Sequence, residues 1–207
     1  RDLLLDRKLI GLEQMLWIKN NLNKKFKWSI IGQQVLMAQV YLPTIFSNMN
    51  KSILPDYLHK YLKIGGSNVP YNTDAWDGYP IERERLFKEL KKANSVLVLT
   101  GDTHNSWINN LYDKNNNFIG VEIGTPAISS PNTIDTFGSL TDGIEKGFIK
   151  ENKNVKWTEG KHKGYTLLKL TKDKSEVKFV YVNTVKSKVY EVIDSNKFNV
   201  KPNTPII

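Results

Sequence analysis

The stretch Ser95-Val96-Leu97-Val98-Leu99-Thr100-Gly101-Asp102-Thr103-His104 decides the fold class of this chain. Its unbroken apolar run predicts a strand buried on both faces, because a strand with one wet face alternates apolar and polar residues. Gly101 then lets the backbone turn directly after the strand. Ligands of layered α/β proteins bind outside the carboxyl ends of such strands. The sequence therefore predicts an α/β fold with a candidate site at Asp102 and His104.

Periodicity and turn residues predict the elements around this strand. In chain order they are a helix ending at about residue 24, a buried strand over 28–35, a short helix over 55–62, a helix over 80–94, a hairpin over 107–123 and a hairpin over 164–185. Residues 125–161 are rich in Gly, Ser, Thr and Asn without a clear period, so we expect irregular structure there. The two prolines within residues 196–207 indicate a loosely ordered tail.

Composition excludes several classes of protein. The 207 residues carry a formal net charge of +9, but only four of the 30 basic residues are arginines and the lysines are scattered. This pattern argues against a dedicated nucleic-acid-binding surface, which needs clustered basic residues. No apolar run approaches the roughly 20 residues of a transmembrane helix. The absence of cysteine excludes disulfide frameworks and thiolate metal sites.

Asp102 and His104 are the first candidates for chemistry. Side chains two residues apart in a turn can converge on one point, and a carboxylate with an imidazole suits zinc, iron or manganese. The alternative is structural: Asp102 caps a turn and His104 packs against it, since an isolated Asp-x-His pair is common by chance. Two ligands also leave a catalytic metal site incomplete, because such sites usually take three or more protein ligands.

The segment Trp76-Asp77-Gly78-Tyr79-Pro80, followed by Arg83 and Arg85, is the second candidate. Trp76 and Tyr79 are suited to one wall of a pocket, and an arginine suits phosphate oxygens through its forked donors. The alternative assigns the two aromatic residues to the core and the charged residues after Pro80 to a solvated helix face.

Five stretches in order resemble the carboxy-terminal half of the alkaline phosphatase D family of metallophosphatases. They are Leu9–Trp17, Trp28–Val35, Asp74–Pro80 with Arg83 and Arg85, Val96–Trp107, and Val121–Ser130 with Gly164 and Tyr165. Within the fourth stretch, Gly101-Asp102-Thr103-His104-Asn105-Ser106-Trp107 is similar to the family's late metal-binding motif. The matches cover nearly the whole chain in the family's order, so chance similarity is a poor explanation.

The resemblance implies the carboxy-terminal half of a four-layer αββα sandwich, as in calcineurin-like metallophosphoesterases. Residues 1–195 would belong to that domain and residues 196–207 to its tail. The resemblance further implies a dinuclear or larger metal centre, with iron and calcium as the metals and Asp102 and His104 as ligands. It gives Trp76 and Tyr79 a role in substrate binding. Phosphate esters in such a centre are attacked in line by a metal-activated water; no catalytic residue is assigned.

The family's earlier metal ligands come from an upstream half that has no counterpart in this sequence. We therefore expect a phosphate ester as substrate and a missing amino-terminal half, in the same or a separate chain, as the structural partner. The resemblance implies a periplasmic or extracellular location. The alternative is a non-catalytic binding module that retains the metallophosphatase fold. Metal content separates the two functions, because only the enzyme requires a dinuclear centre.

Overall fold

The computed structural model describes residues 5–22, 25–50, 52, 59, 63, 68–193 and 196–207. Its α-helices are α1 Gly11–Asn21, α2 Pro80–Leu90, α3 Thr133–Phe137 and α4 Thr141–Glu151. Its strands are β1 Ser29–Gly32, β2 Val96–Thr100, β3 Ser106–Tyr112, β4 Phe118–Gly124, β5 Val155–Glu159, β6 Lys163–Leu170, β7 Ser175–Val182, β8 Val192–Ile193 and β9 Lys197–Val200. The short helix predicted over residues 55–62 lies, except for His59, outside the described residues.

Strand β2 is the inner strand that its apolar run predicts. It pairs in parallel with β1 on one side and with β4 on the other, within a sheet of order β1-β2-β4-β3-β5. Val96 and Val98 face a core shared with the helices, whereas Leu97 faces a second core between this sheet and the other one. Leu97 and Val98 have no exposed surface. The prediction of burial on both faces is confirmed.

Helices cover the outer face of the first sheet. Helix α2 packs Leu86, Phe87 and Leu90 into the first core, and α4 packs Ile144 and Phe148 there. The predicted helix start at Pro80 is confirmed, since proline fits a first turn that needs no backbone N–H donor. Among the described helices, none has the length and apolar character to cross a membrane.

The carboxylate of Glu82 in α2 fixes the start of α1. It accepts hydrogen bonds from the backbone N–H groups of Leu9, Ile10 and Gly11. The first N–H groups of a helix have no partner inside it, and negative charge is favourable at that end. The side chain of Glu82 is therefore buried and does not belong to a solvated helix face.

The second sheet closes the other core. Strand β7 lies at its centre and pairs antiparallel with β6, β8 and β9. Val177, Phe179 and Tyr181 of β7 pack against Leu97 and Ile123 of the first sheet. Both predicted hairpins, β3–β4 and β6–β7, are confirmed.

The carboxy-terminal segment differs from its expectation. Residues Lys197–Val200 form β9 and pair with β7. Further along, Ile206 exchanges two hydrogen bonds with the side chain of Asn110 in β3, at 2.7 and 3.0 Å. The prediction of a loosely ordered tail is wrong over these residues. The two prolines follow β9 instead of interrupting it, so the N–H groups of the strand remain available for pairing.

Regular structure also replaces the irregular segment expected over residues 125–161, where α3, α4 and β5 form. The prediction of irregular structure is wrong here because it took the glycines of α4 as loop residues. A Cβ atom at Gly143 would lie 2.7 Å from Ile45 Cδ1, and one at Gly147 would lie 2.8 Å from Pro43 Cβ. Those glycines let the helix approach the segment before and within the 3-10 helix Thr44–Asn48. They therefore serve packing and do not mark a loop.

Strand β1 is half-buried, whereas the sequence predicts a buried strand. Among the described strands of the first sheet, β1 lies at one edge. The side chain of its Ile30 is 43% exposed. Leu12 and Trp17 of the nearby α1 are 72% and 66% exposed. Apolar surface at a free sheet edge is typical of a surface that another segment covers.

Candidate metal centre

The candidate site lies at the edge of the first sheet where the parallel strands β1, β2 and β4 end. The N–H of Gly101 donates to the carbonyl of Gln34, just after β1, at 3.1 Å. The N–H of Thr125, just after β4, donates to the carbonyl of Thr100 at 2.9 Å. Segments that follow three strands therefore meet at this turn, which is where α/β folds bind ligands.

The backbone of the turn is strained at both candidate ligands. Asp102 and His104 have φ angles of 69° and 63°, in the left-handed region. This conformation costs a residue with a Cβ atom about 1–2 kcal/mol. Such strain persists only where the surrounding structure enforces it, and it is concentrated at functional sites. The backbone at both residues is that of a tight turn, and a functional role of the turn stays a prediction.

Buried side chains hold the turn in this shape. Trp107, which has no exposed surface, donates from Nε1 to Thr103 Oγ1 at 2.8 Å. Asn105 donates from Nδ2 to Thr133 Oγ1 at 2.7 Å and accepts from the Thr133 N–H at 3.3 Å. The turn is thus fixed from the core by Trp107 and from the start of α3 by Asn105.

His104 presents one ring nitrogen in a defined orientation. Its Nδ1 lies 2.6 Å from the carbonyl oxygen of Pro131. A carbonyl oxygen only accepts, so Nδ1 carries a proton, and in the neutral imidazole Nε2 is then the nitrogen with the lone pair. Metal-binding histidines are commonly oriented in this way by a carbonyl or carboxylate on the second nitrogen. His104 therefore offers Nε2 as a preoriented donor.

Asp102 offers a carboxylate that the described structure does not use. Asp102 is exposed, and within the described ranges its side chain forms no hydrogen bond or ion pair. A carboxylate and a neutral imidazole nitrogen together suit a hard or borderline cation. The described residues hold no group of three or more His, Cys, Asp or Glu able to bind a metal. A role of Asp102 and His104 as metal ligands stays a prediction.

Trp76 lies in the first core with 1% of its surface exposed. Its Nε1 donates to Gln33 Oε1 at 3.1 Å. The next residue, Gln34, accepts the hydrogen bond from the Gly101 N–H, so the indole of Trp76 contacts the segment that binds the turn. Tyr79 is half-buried, and the guanidinium of Arg7 lies 4.9 Å from its ring centre. A role of these two aromatic residues in substrate binding stays a prediction.

Arg83 is committed to a buried ion pair in the described structure. Its Nη1 donates to Asp77 Oδ1 at 2.6 Å and to the carbonyl of Met37 at 3.2 Å. Asp77 also accepts from the Val40 N–H at 2.9 Å. Burial raises the pKa of Asp77, and the Arg83 charge opposes that rise. The pair ties α2 to the segment after β1, and its guanidinium is not presented to solvent.

Glu122 is a buried acid that the sequence analysis missed. It has no exposed surface and accepts hydrogen bonds from the backbone N–H groups of Met37 and Ala38 and from Asn109 Nδ2, the last at 2.8 Å. Burial raises its pKa to about 7, against the lowering effect of these donors. The sequence signal that could have identified Glu122 is a single acid inside the otherwise apolar strand β4. No sequence signal marks the carbonyl of Pro131, because any residue has a carbonyl.

Comparisons with known proteins agree with the resemblance of the motifs. A model of the PhoD-like phosphatase family matches residues 4–179. Alkaline phosphatase D of Bacillus subtilis (strain 168) is 33% identical over 174 residues, which are 80% of this chain and 25% of that protein.

Structural comparison gives the same relationship. A solved structure of PhoD is similar with a TM-score of 0.69 and 26% identity, over 95% of this chain and 34% of that one. The chain thus spans a quarter to a third of the length of these relatives. Because the family model matches most of its residues, the chain belongs to the PhoD-like phosphatase family.

Proposed function

We propose that the protein hydrolyses phosphoric esters and that this chain contributes Asp102 and His104 to a metal centre. Membership of the PhoD-like phosphatase family supports the reaction class. The hydrogen bond from His104 Nδ1 to the Pro131 carbonyl carries the residue assignment, because it leaves Nε2 available to a cation. The strained backbone at both residues adds support.

A bound metal centre would supply a Lewis acid for the phosphoryl oxygens and lower the pKa of a bound water. Asp102 would offset part of the positive charge, and His104 would donate a neutral nitrogen. Pro131 would keep the imidazole ring oriented, as outer partners of metal ligands do. We propose iron and calcium as the metals, following the resemblance; imidazole suits the former and carboxylate suits both.

Trp76 and Tyr79 are proposed to contribute to the substrate-binding region. The hydrogen bond between Trp76 and Gln33 supports this assignment, because it connects the indole to the sheet edge that holds Gly101. A periplasmic or extracellular location is proposed from the resemblance of the motifs.

The remaining ligands are proposed to come from an amino-terminal half of the same domain, in this or a separate chain. The exposed apolar side chains of Trp17 and Ile30, which line one groove beside the edge strand β1, support a covering segment there. A strand added next to β1 would also satisfy its unpaired backbone groups.

The test uses the intact protein with the variants His104→Ala and Asp102→Asn. Loss of a group that only orients a metal ligand costs about 10–100-fold, so we expect loss of a direct ligand to cost more. Hydrolysis of a chromogenic phosphate ester and the number of bound metal ions are measured for each variant. Asp173→Asn, in the exposed turn between β6 and β7, is the matched control. Near-native turnover and metal content in both site variants would refute the assignment.

A non-catalytic binding module is the second candidate function. It is favoured by the absence of a group of three metal ligands among the described residues. The same experiment separates the two functions, because a binding module would show no turnover when the intact protein is supplied with metal.

A further inference from the structure

A cleft of about 460 Å³ lies beside the candidate metal centre. Pro131 forms part of its wall, and the carbonyl of the same residue holds the imidazole of His104. The segment after β7, which includes Lys186, also lines the cleft. Pro131 therefore contacts both the cleft and the imidazole ring that the proposed function assigns to the metal.

The wall of the cleft is cationic. Lys161, Lys163 and Lys186 line it together with His162, and Asp135 is the acid in the same wall. Lysine is a compact charge that suits a phosphate or carboxylate group. This concentration differs from the scattered lysines elsewhere in the chain, because three lysines here line one concave space.

Lys186 differs from the other cations of the cleft in its ion pairing. Lys161 pairs with Asp142, Lys163 pairs with Asp135, and His162 lies against Glu159. For Lys186, by contrast, no ion pair is formed within the described ranges. Its charge still acts within the cleft, since it helps to lower the pKa of Asp135.

We propose that this cleft binds a second anionic group of the phosphate ester substrate, with Lys186 as its main charged contact. The inference rests on the proposed function for the presence of a reacting ester, and adds a preference for esters with a further negative charge. The phosphoryl group would lie at the turn of Asp102 and His104, and the second anion would lie beyond Pro131.

The kinetic test compares two esters that differ by one carboxylate, glycerol 3-phosphate and 3-phosphoglycerate. In the intact, metal-loaded protein, we expect Lys186→Glu to lower kcat/KM for 3-phosphoglycerate about 10-fold, since it reverses one partly screened charge. Turnover of glycerol 3-phosphate should change less than about 2-fold, because it lacks the second anion. The matched control is Lys188→Glu, an exposed lysine of the same segment that does not line the cleft.

Equal losses with both esters, or equal losses in Lys186→Glu and Lys188→Glu, would overturn the proposal. The first result would mean that Lys186 does not distinguish the second anion. The second would mean that the overall field of the protein, and not the cleft, steers the substrate.

A binding measurement separates this inference from the proposed function. Inorganic phosphate is titrated into the metal-free intact protein while the ring signals of His162 are followed by NMR. We expect a saturable shift that Lys186→Glu abolishes and Lys188→Glu keeps. Absence of that shift overturns the cleft as an anion site whether or not the esters are hydrolysed. A shift without any turnover would keep the anion site and refute the proposed hydrolysis.

Discussion

Replacing Glu122 with Gln tests whether one buried acid fixes the segment after β1. The native carboxyl group has no exposed surface and receives three N–H donors, from Met37, Ala38 and Asn109. At pH 5.5, below its pKa of about 7, the native carboxyl group carries a proton, and its hydroxyl oxygen can still accept a hydrogen bond. A Gln amide keeps the shape, but its nitrogen can only donate. Asn109 can adapt, because its Oδ1 has no partner in the described structure and a rotated amide would accept from the new NH2 group.

The Ala38 N–H would then face a donor, so one hydrogen bond is lost and one buried N–H is unsatisfied. Such a loss costs about 1–3 kcal/mol. For a chain of this size each kcal/mol lowers Tm by about 2–4 °C. We expect a decrease of that order at pH 5.5, measured by urea unfolding and by thermal melts that follow Trp fluorescence.

The pH dependence has a defined sign. Burial raises the pKa of Glu122 from 4.5 to about 7, so the native state binds this proton more tightly than the unfolded chain. Its contribution to stability is complete below about pH 4.5 and is lost as pH rises through about 7. The stability advantage over Glu122→Gln should therefore shrink between pH 5.5 and pH 8.

The exposed Glu191 provides the control, and Glu191→Gln should change stability by less than about 0.5 kcal/mol at either pH. Equal stability of Glu122→Gln and the native protein at pH 5.5 would refute the hydrogen-bond argument. If the difference in stability between the native protein and Glu122→Gln instead widens as the pH rises, the N–H donors outweigh burial in setting the pKa of Glu122.

Two further substitutions test the buried pair and the support of the turn. Asp77→Asn leaves the Arg83 guanidinium buried without its carboxylate, and we expect a loss of about 3–5 kcal/mol in urea unfolding; a loss below about 1 kcal/mol would contradict the pair's structural role. Asn105→Ala removes the hydrogen bonds to Thr133, and we expect metal affinity of the intact protein to fall about 10-fold by equilibrium dialysis. Asn115→Ala, in an exposed turn, is its control, and equal affinities in the two variants would contradict that role.

The sequence by itself determined the central strand and the place of the candidate site. Four apolar residues in a row, Val96–Leu99, fit a strand that is covered on both faces, and the structure places β2 between β1 and β4 with a core on either side. The polar turn after a buried strand then has to lie at a sheet edge. Local pattern sufficed here because an apolar run followed by turn residues is the sequence signature of a buried strand and of the point where it ends.

Glycine and proline content was a weaker guide. In α4, Gly143 and Gly147 allow close helix packing, although in sequence they indicate a loop. In the tail, prolines after β9 leave the strand free to pair with β7. Both errors have one cause: the composition of a segment does not show which surface will pack against it.

Only the tertiary structure decided how the candidate site is held. The carbonyl of Pro131 lies 27 residues after His104, and its hydrogen bond sets which ring nitrogen is available. The acceptor role of Glu122 likewise depends on Met37 and Ala38, more than 80 residues away. Periodicity describes one segment at a time, whereas these contacts arise when the two cores form and bring distant segments to the same sheet edge. The sequence therefore named Asp102 and His104, and the packing around them determined the orientation of the donor.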